Sequence, residues 1–184
     1  MPQVPLTAQL NIAKSSSITT NSPYDYLMRG EGITVSKTNV CNGNGAQTDN
    51  LFTVIGAVEV KQIWAEINQV TNGTVLSANS LGLYDSTATV EITDGGAPLD
   101  LSGVTEVGGI IIKNGASATV ALAQMRNNVG VLLDTVVAPF RIAKKVGAAT
   151  YIQHLFTGNA DTNVTMTWYV RYVPLSSDGA LAAA

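Results

Sequence analysis

Residues 163 to 173, near the C-terminus, alternate strictly between two kinds of side chain. Large apolar groups fall on one parity: Val164, Met166, Trp168, Val170 and Tyr172. Threonines, a tyrosine and an arginine occupy the other. This alternation is typical of a strand with one buried face in an antiparallel sheet, and Pro174 then ends the pairing because it has no N–H to donate. We therefore expect residues 163 to 173 to form a central core strand.

A second apolar segment, from Leu51 to Ile67, changes its phase part-way along. Its apolar positions are even-numbered before Lys61-Gln62 and odd-numbered after it. A one-residue slip exchanges the two faces of a strand, so the change predicts a β-bulge or a sharp bend. Four residues of this segment are expected in the core: Phe52, Val54, Val58 and Trp64.

Short runs rich in β-branched residues recur through the rest of the chain, separated by turn signals such as Asn72-Gly73 and Asn114-Gly115. The runs are Thr74 to Leu76, Ala88 to Ile92, Gly109 to Ile112, Ala118 to Leu122, Val129 to Val137 and Thr150 to Phe156. Helical character is confined to candidates such as Ala121 to Asn128. The sequence therefore predicts an all-β fold, an antiparallel β-sandwich or barrel of jelly-roll type, with at most one or two short helices.

The first fifty residues are rich in Ser, Thr, Asn and Gly and contain few large apolar groups. A segment of this composition does not fold alone. We expect residues 1–50 to be an extended arm, residues 51–175 to be the body and residues 176–184 to be a tail, with Leu175 to Ala184 lying against another protein. Six residues are candidates for contacts with neighbouring subunits: Tyr24, Tyr26, Leu27, Met28, Leu175 and Leu181.

Charged residues make up only 12% of the chain, against a hydrophobic share of 46%. So few charges predict a surface that is partly covered by other subunits. The net charge is −3, and the only adjacent cations are Lys144-Lys145, which excludes the basic stripe that nucleic-acid binding requires. The start lacks a signal-peptide pattern, and the longest apolar stretch, Val129 to Phe140, is too short to cross a bilayer. We expect synthesis in a cytoplasm, with no membrane partner.

The residues that could carry chemistry are sparse. His154 is the single histidine and Cys41 the single cysteine. A serine or cysteine nucleophile would need His154 as its base, but no G-x-S-x-G motif is present, and a packed strand histidine is the simpler interpretation. Cys41 is expected to be a half-buried filler. We assign no catalytic, metal-binding or cofactor-binding residue, and we expect the protein not to be an enzyme.

Two further patterns fail as ligand motifs. Asp161-Thr-Asn163 begins like a calcium loop but lacks its later ligands, and Gly43 to Thr48 precedes a strand where a dinucleotide fingerprint would follow one. Both are interpreted as turns. Six carboxylates leave open a glycosidase-type pair: Glu59, Glu66, Asp85, Glu91, Asp94 and Asp100. An exposed aromatic platform for sugars is possible with Trp64 and Tyr84.

Two strings resemble known proteins. The segment Thr165 to Leu175 (TMTWYVRYVPL), followed by Asp178-Gly-Ala180 and a tail of small residues, resembles the ending of small virion structural proteins of tailed bacteriophages. Leu51 to Val60 is similar to an early strand of the same proteins. The resemblance covers Leu51 to Ala184 and implies a β-sandwich or barrel on the phage head, with no catalytic residues.

The resemblance implies a decoration or cement protein at the capsid surface, with the major capsid protein as its partner. A minor head, fibre or tail-associated structural protein is the alternative within the same class. Self-association is also expected, and a trimer is preferred because capsid junctions often present threefold symmetry. A carbohydrate-binding β-sandwich module is the alternative from another class.

Overall fold

A computed structural model describes residues 32–70, 76–101, 107–113, 118, 120–125 and 139–184. These residues form eleven β-strands and no helix. The strands are β1 (Ile33–Asn42), β2 (Gly45–Ile55), β3 (Ala57–Val70), β4 (Leu76–Tyr84), β5 (Thr89–Glu91), β6 (Ile110–Lys113), β7 (Leu122–Met125), β8 (Phe140–Ala143), β9 (Tyr151–Gly158), β10 (Asn163–Pro174) and β11 (Ala180–Ala183). The described part of the chain thus has no helix of the length and apolar character that would span a membrane.

The strands form two antiparallel sheets. The first has the order β1-β10-β3-β6-β7, and β8 also pairs with β3; the second has the order β11-β2-β9-β4-β5. Without the β6–β7 hairpin and β11, the order is β1-β10-β3-β8 in one sheet and β2-β9-β4-β5 in the other. Apolar side chains of both sheets share one core cluster, so the sheets pack face to face. This strand order is that of a jelly roll, which confirms the predicted all-β sandwich.

β10 is the central strand predicted from the alternation. It lies between β1 and β3 and pairs with both over almost its whole length. Its five large apolar side chains on the predicted inward parity are all buried: Val164, Met166, Trp168, Val170 and Tyr172. The assignment of the inward face is therefore correct.

The second predicted strand is in fact two strands in different sheets. Gly56, at φ +56°, separates β2 from β3 and carries the chain from the second sheet to the first. A side chain there would meet both the strain of a positive φ and the carboxylate of Asp178, 2.4 Å from the position of its Cβ. The predicted phase change is confirmed at Lys61, which is the extra residue of a bulge between β3 and β10.

Most of the predicted core is confirmed. Phe52, Val54 and Val58 are fully buried. Trp64 was expected in the core, and this is wrong: it is half-buried and faces outward, because the bulge at Lys61 directs the odd-numbered residues inward from that point. The inward residues after the bulge are Ile63, Ala65 and Ile67.

The predicted boundaries of the arm and the tail are wrong. β1 and the first half of β2 precede residue 51, yet they pair with β10 and β9 inside the body. β11 likewise pairs with β2 of the same chain. Leu181, a predicted contact with another subunit, is buried in the core of its own chain, while Leu175 is exposed. β11 has only four residues, and it is held as a strand by pairing with β2. The sequence of these four residues does not by itself indicate that pairing.

Some predictions fall on residues outside the described ranges. Tyr24, Tyr26, Leu27 and Met28 lie there, as does the predicted run Val129 to Val137. The helical candidate Ala121 to Asn128 is partly described, and its residues 122–125 form β7.

Candidate functional site

A buried row of polar side chains crosses the core between the two sheets. Cys41 at the end of β1 lies with its Sγ 3.8 Å from Nδ1 of His154 on β9. On the other side of the imidazole, Nε2 lies 3.0 Å from Oδ1 of Asn79 on β4. All three side chains are fully buried. The chemistry-bearing residues noted in the sequence, Cys41 and His154, are therefore brought together.

The hydrogen-bond partners fix where the protons are. The amide NH₂ of Asn79 donates to the carbonyl oxygens of Leu76 (3.1 Å) and Leu99 (3.0 Å), so Oδ1 is the atom that faces the histidine. A carbonyl oxygen only accepts, so Nε2 of His154 must carry its proton. Nδ1 is then the acceptor, and the thiol of Cys41 donates to it. The Nδ2 group of Asn39 approaches the same sulfur at 3.7 Å.

Burial keeps this pair neutral. Removal from water lowers the pKa of His154 from 6.5 to about 3, because the imidazolium would lose its hydration. The same cause, with the nearby carboxylate of Asp49 adding to it, raises the pKa of the Cys41 thiol from 9.0 to about 12. The imidazole also packs between the rings of Phe156 and Trp168, each 5.0 Å away between centroids. Thiol and imidazole are thus held in their uncharged forms.

The order of atoms is that of a cysteine nucleophile, its histidine base and an amide that orients the base. Such a nucleophile acts as the thiolate and must meet its substrate. Here the sulfur is fully buried and its pKa is raised. In the described conformation, the row joins the two sheets through hydrogen bonds across the core. The expectation of a packed strand histidine fits this site, whereas Cys41 is more deeply buried than predicted.

Thiol labelling tests whether the thiol of Cys41 is inaccessible to solvent. We expect Cys41 in the native protein to react with an aromatic disulfide reagent at least about 100-fold more slowly than an exposed thiol, because little thiolate forms and the reagent lacks access. Val40, the preceding residue, is 46% exposed, so the double substitution Val40→Cys with Cys41→Ser supplies a matched accessible thiol. Stoichiometric labelling of the native wild type at the rate of this control contradicts the buried assignment.

Two of the candidate carboxylates, Glu59 and Asp85, are ion-pair partners, and Asp94 accepts hydrogen bonds from the backbone N–H groups of Gly96 and Ala97. Glu59 pairs with both Lys61 and Arg141, and these contacts lower its pKa. Asp85 accepts from Lys145 at 2.8 Å, and its pKa falls to about 2. A general acid at neutral pH needs a raised pKa, so both shifts run against that role. Within the described ranges, no group of three or more His, Cys, Asp or Glu side chains is placed to hold a metal.

Trp64 and Tyr84 do not form one platform, because Trp64 lies on β3 of the first sheet and Tyr84 on β4 of the second. Trp64 instead stacks on Tyr169 of β10, with ring centroids 5.2 Å apart and ring planes 11° from parallel. At this separation the two rings cover each other's faces. On the outer face of the first sheet, these two rings therefore form a half-buried stack.

A groove of about 310 Å³ lies on the outer face of the second sheet. Gly82 forms part of its floor, where a Cβ would come within 2.3 Å of the methyl group of Thr89. Most other lining groups are short hydroxyl-bearing or apolar side chains such as Ser80 and Leu155. Its one aromatic residue, Phe156, is buried. The groove therefore offers polar contacts but no exposed ring on which a sugar would stack.

The prediction that the two rejected motifs are turns is only partly right. Gly43, at positive φ, lies in the turn between β1 and β2, but Gly45 to Thr48 are the first residues of β2. Asp161 lies in the turn before β10, where Thr162 donates to the side chain of Asn159 at 2.8 Å.

Sequence reasoning missed Asn79, whose position depends on a bulge in β4. The register of β4 against β9 shifts between Ser77 and Ser80, and Ala78 in this bulge has a φ of +53°. This irregularity turns the amide of Asn79 into the core. An alanine does not indicate such a conformation in a sequence. The only signal for the bulge is that residues 77 to 80 depart from a simple alternation of apolar and polar side chains.

Comparison with known proteins gives no relative: no protein-family profile, curated protein sequence or solved structure matches this chain. Its function therefore has to be inferred from its own residues. The features available for this are the buried Cys41-His154-Asn79 row and the exposed faces and ends of the sandwich.

Proposed function

We propose that this chain is a non-enzymatic virion structural protein that binds the surface of a phage head as a decoration or cement protein. Its partners are the major capsid protein and further copies of itself, with a trimer as the preferred assembly. The proposal joins the resemblance of residues 165–175 to phage structural proteins with the jelly-roll fold, which viral capsid proteins share with lectins and other proteins.

The observation that carries the proposal is a row of uncharged side chains that crosses the outer face of the first sheet from β1 to β3. β1 directs Thr34, Ser36 and Thr38 outward, and the hydroxyl of Thr38 lies 3.0 Å from that of Thr167 on β10. Thr167 in turn donates to Oδ1 of Asn68 on β3 at 2.7 Å. Such a row of short, mutually hydrogen-bonded side chains makes a flat surface that loses little hydration when another protein covers it.

A second support is the state of the nucleophile and base. Cys41 and His154 connect the two sheets and are held neutral, so the residues best suited to catalysis serve the stability of the body. A stable, low-charge body is what a cement protein needs, since each copy adds its binding energy to the cost of separating the subunits that it bridges.

Sedimentation of the purified protein with and without phage heads tests the proposal. We expect the protein to pellet with the heads in a fixed ratio to the capsid protein, to saturate, and to raise the temperature at which the heads open. Because binding sites repeat on the shell, the effect on the heads should grow with occupancy. Heads incubated with an unrelated β-sandwich protein of similar size are the control.

Other results of this experiment would support one of the two alternative functions. Pelleting with isolated tails or fibres, but not with heads, indicates the tail-associated role. Binding of the monomer to glycans, with no binding to any virion part, indicates a carbohydrate-binding module and overturns the proposal.

A further inference from the structure

One end of the sandwich, where β2 passes into β3 at Gly56, is built from two loops that flank this crossing. We call it the basal end. The loop of residues 144–150 brackets the crossing on one side, since Lys144 N donates to the carbonyl of Gly56 at 2.7 Å and Val54 N donates to the carbonyl of Thr150 at 2.9 Å. On the other side, Leu175 N donates to the carbonyl of Ala57 at 2.8 Å.

Three exposed apolar side chains lie at this crossing and in its two flanking loops. Ile55, the last residue of β2, is 39% exposed, Leu175 is 50% exposed and Val146 is 97% exposed. We call these three residues the basal patch. Single exposed apolar residues are common on protein surfaces, but a group held within one loop cluster is typical of a contact site.

The loops that carry the patch are fastened to their surroundings. Lys145, next to Val146, donates from Nζ to Asp85 at 2.8 Å and to the hydroxyl of Thr87 at 2.9 Å. Its backbone N–H also donates to the hydroxyl of Thr150 at 2.9 Å, and Ser86 donates to the carbonyl of Ala149 at 2.6 Å. A surface held in this way loses little conformational entropy on binding, which favours affinity.

Charge is divided along the strand axis in the described residues. The basal half carries five cations and three carboxylates: Lys61, Arg141, Lys144, Lys145 and Arg171, against Glu59, Asp85 and Asp178. The opposite half carries five carboxylates and no described lysine or arginine: Asp49, Glu66, Asp94, Asp100 and Asp161. Lys37, Glu91 and Lys113 lie between the halves. Among the described residues, the basal patch therefore lies at the end that carries the excess of cations.

We propose that the basal end is the docking surface of the protein, and that it binds an acidic, partly apolar protein surface on the viral shell. This inference rests on the function proposed above and specifies which end faces the shell. Val146 is the apolar anchor, because it stands at the tip of a fastened loop. Arg141, whose side chain is 76% exposed, and Lys144 at the edge of the patch steer the approach to an acidic partner. The acidic end then points away from the shell.

Charge placed in the patch tests the proposal in the head-sedimentation assay. We expect Val146→Asp to weaken binding at least about tenfold, because the substitution removes an apolar anchor and opposes an acidic partner. The matched control is Val107→Asp, since Val107 is 51% exposed and its neighbour Gly108 donates to the carbonyl of Ile67 in the opposite half. Leu175→Asp is a second patch variant, and circular dichroism checks that each protein is folded. Binding of the wild type should also weaken as salt is raised.

The possible results are distinguishable. Wild-type binding with unchanged binding of both patch variants overturns this inference and leaves the proposed function standing. Weaker binding of Val107→Asp alone assigns docking to the opposite end and also overturns it. Association of free copies that Val146→Asp abolishes, with unchanged binding to heads, assigns the basal end to a second copy instead. If the wild type does not bind to heads, the proposed function is contradicted, and so is the docking surface that rests on it.

Discussion

Trp168→Ala is expected to lower the free energy of unfolding by about 3–5 kcal/mol, the usual cost of emptying a large aromatic position in a packed core. Trp168 is fully buried on the central strand β10, and its ring meets the imidazole of His154 from the opposite sheet. Its removal leaves a cavity at the contact between the sheets. Urea-induced unfolding, followed by far-ultraviolet circular dichroism, measures the change.

Trp64→Ala is the matched control, since it removes the same side chain from the outer face of the same sheet. Its loss should be about 1–2 kcal/mol, from a half-buried ring and its stacking on Tyr169. Trp168→Phe adds a second comparison. The indole N–H of Trp168 has no hydrogen-bond partner among the described residues, so phenylalanine retains much of the packing without an unpaired donor. Equal losses for the two alanine variants contradict the assignment of the inward face.

The stability of the protein is expected to fall by about 2 kcal/mol when the pH is lowered from 7 to 5, because of His154. In the folded protein the pKa of His154 is about 3, against 6.5 for an ordinary histidine. Between these values the unfolded chain binds a proton that the folded chain does not, so acid favours unfolding. The contribution is fully retained above pH 6.5 and is lost progressively as the pH falls toward 3.

Two measurements check this prediction. Because His154 is the only histidine, its ring signals in nuclear magnetic resonance are unambiguous, and they should show a neutral imidazole protonated at Nε2 with no titration between pH 7 and 5. His154→Gln should unfold in urea with a much smaller dependence on pH over this range. Asp85 contributes little to the difference in stability between pH 7 and pH 5. Because its pKa is lowered, the stability that it contributes is lost only below about pH 4. A ring that titrates near 6.5 in the folded protein contradicts the buried assignment.

The sequence predicted the fold class and the central strand for a definite physical reason. In β10, large apolar and polar side chains alternate without a break, and the burial of one sheet face produces this pattern directly. β1 has the same alternation in its burial, but its inward side chains include Lys37, Asn39 and Cys41, which do not read as a core face. The sequence alone therefore places β1 in the arm. The four-residue strands β8 and β11 are too short for a period to be recognised.

The buried polar row was less accessible to sequence reasoning. Cys41 and His154 lie 113 residues apart, and they meet only because β1 and β9 belong to sheets that face each other. The sequence indicated that His154 has apolar neighbours on its strand, which was sufficient to expect a packed histidine. It did not indicate which polar groups would accompany it, because Asn79 enters through a bulge at an alanine. Contacts between sheets depend on strand order, and strand order is not a local property.

The strand order also determines when the two sheets can form during synthesis. β10 joins β1 to β3 in the first sheet and β9 is the centre of the second, yet both follow every other described strand except β11 in the chain. Ile33, at the start of β1, cannot pair until Tyr172 has been synthesised. Before β9 and β10 are synthesised, only the pairings of β3 with β6 and β8, of β6 with β7 and of β4 with β5 can form among the described strands. Chains with such distant pairings fold in milliseconds to seconds. Copies become competent for assembly only after β9 and β10 have joined the strands of the two sheets.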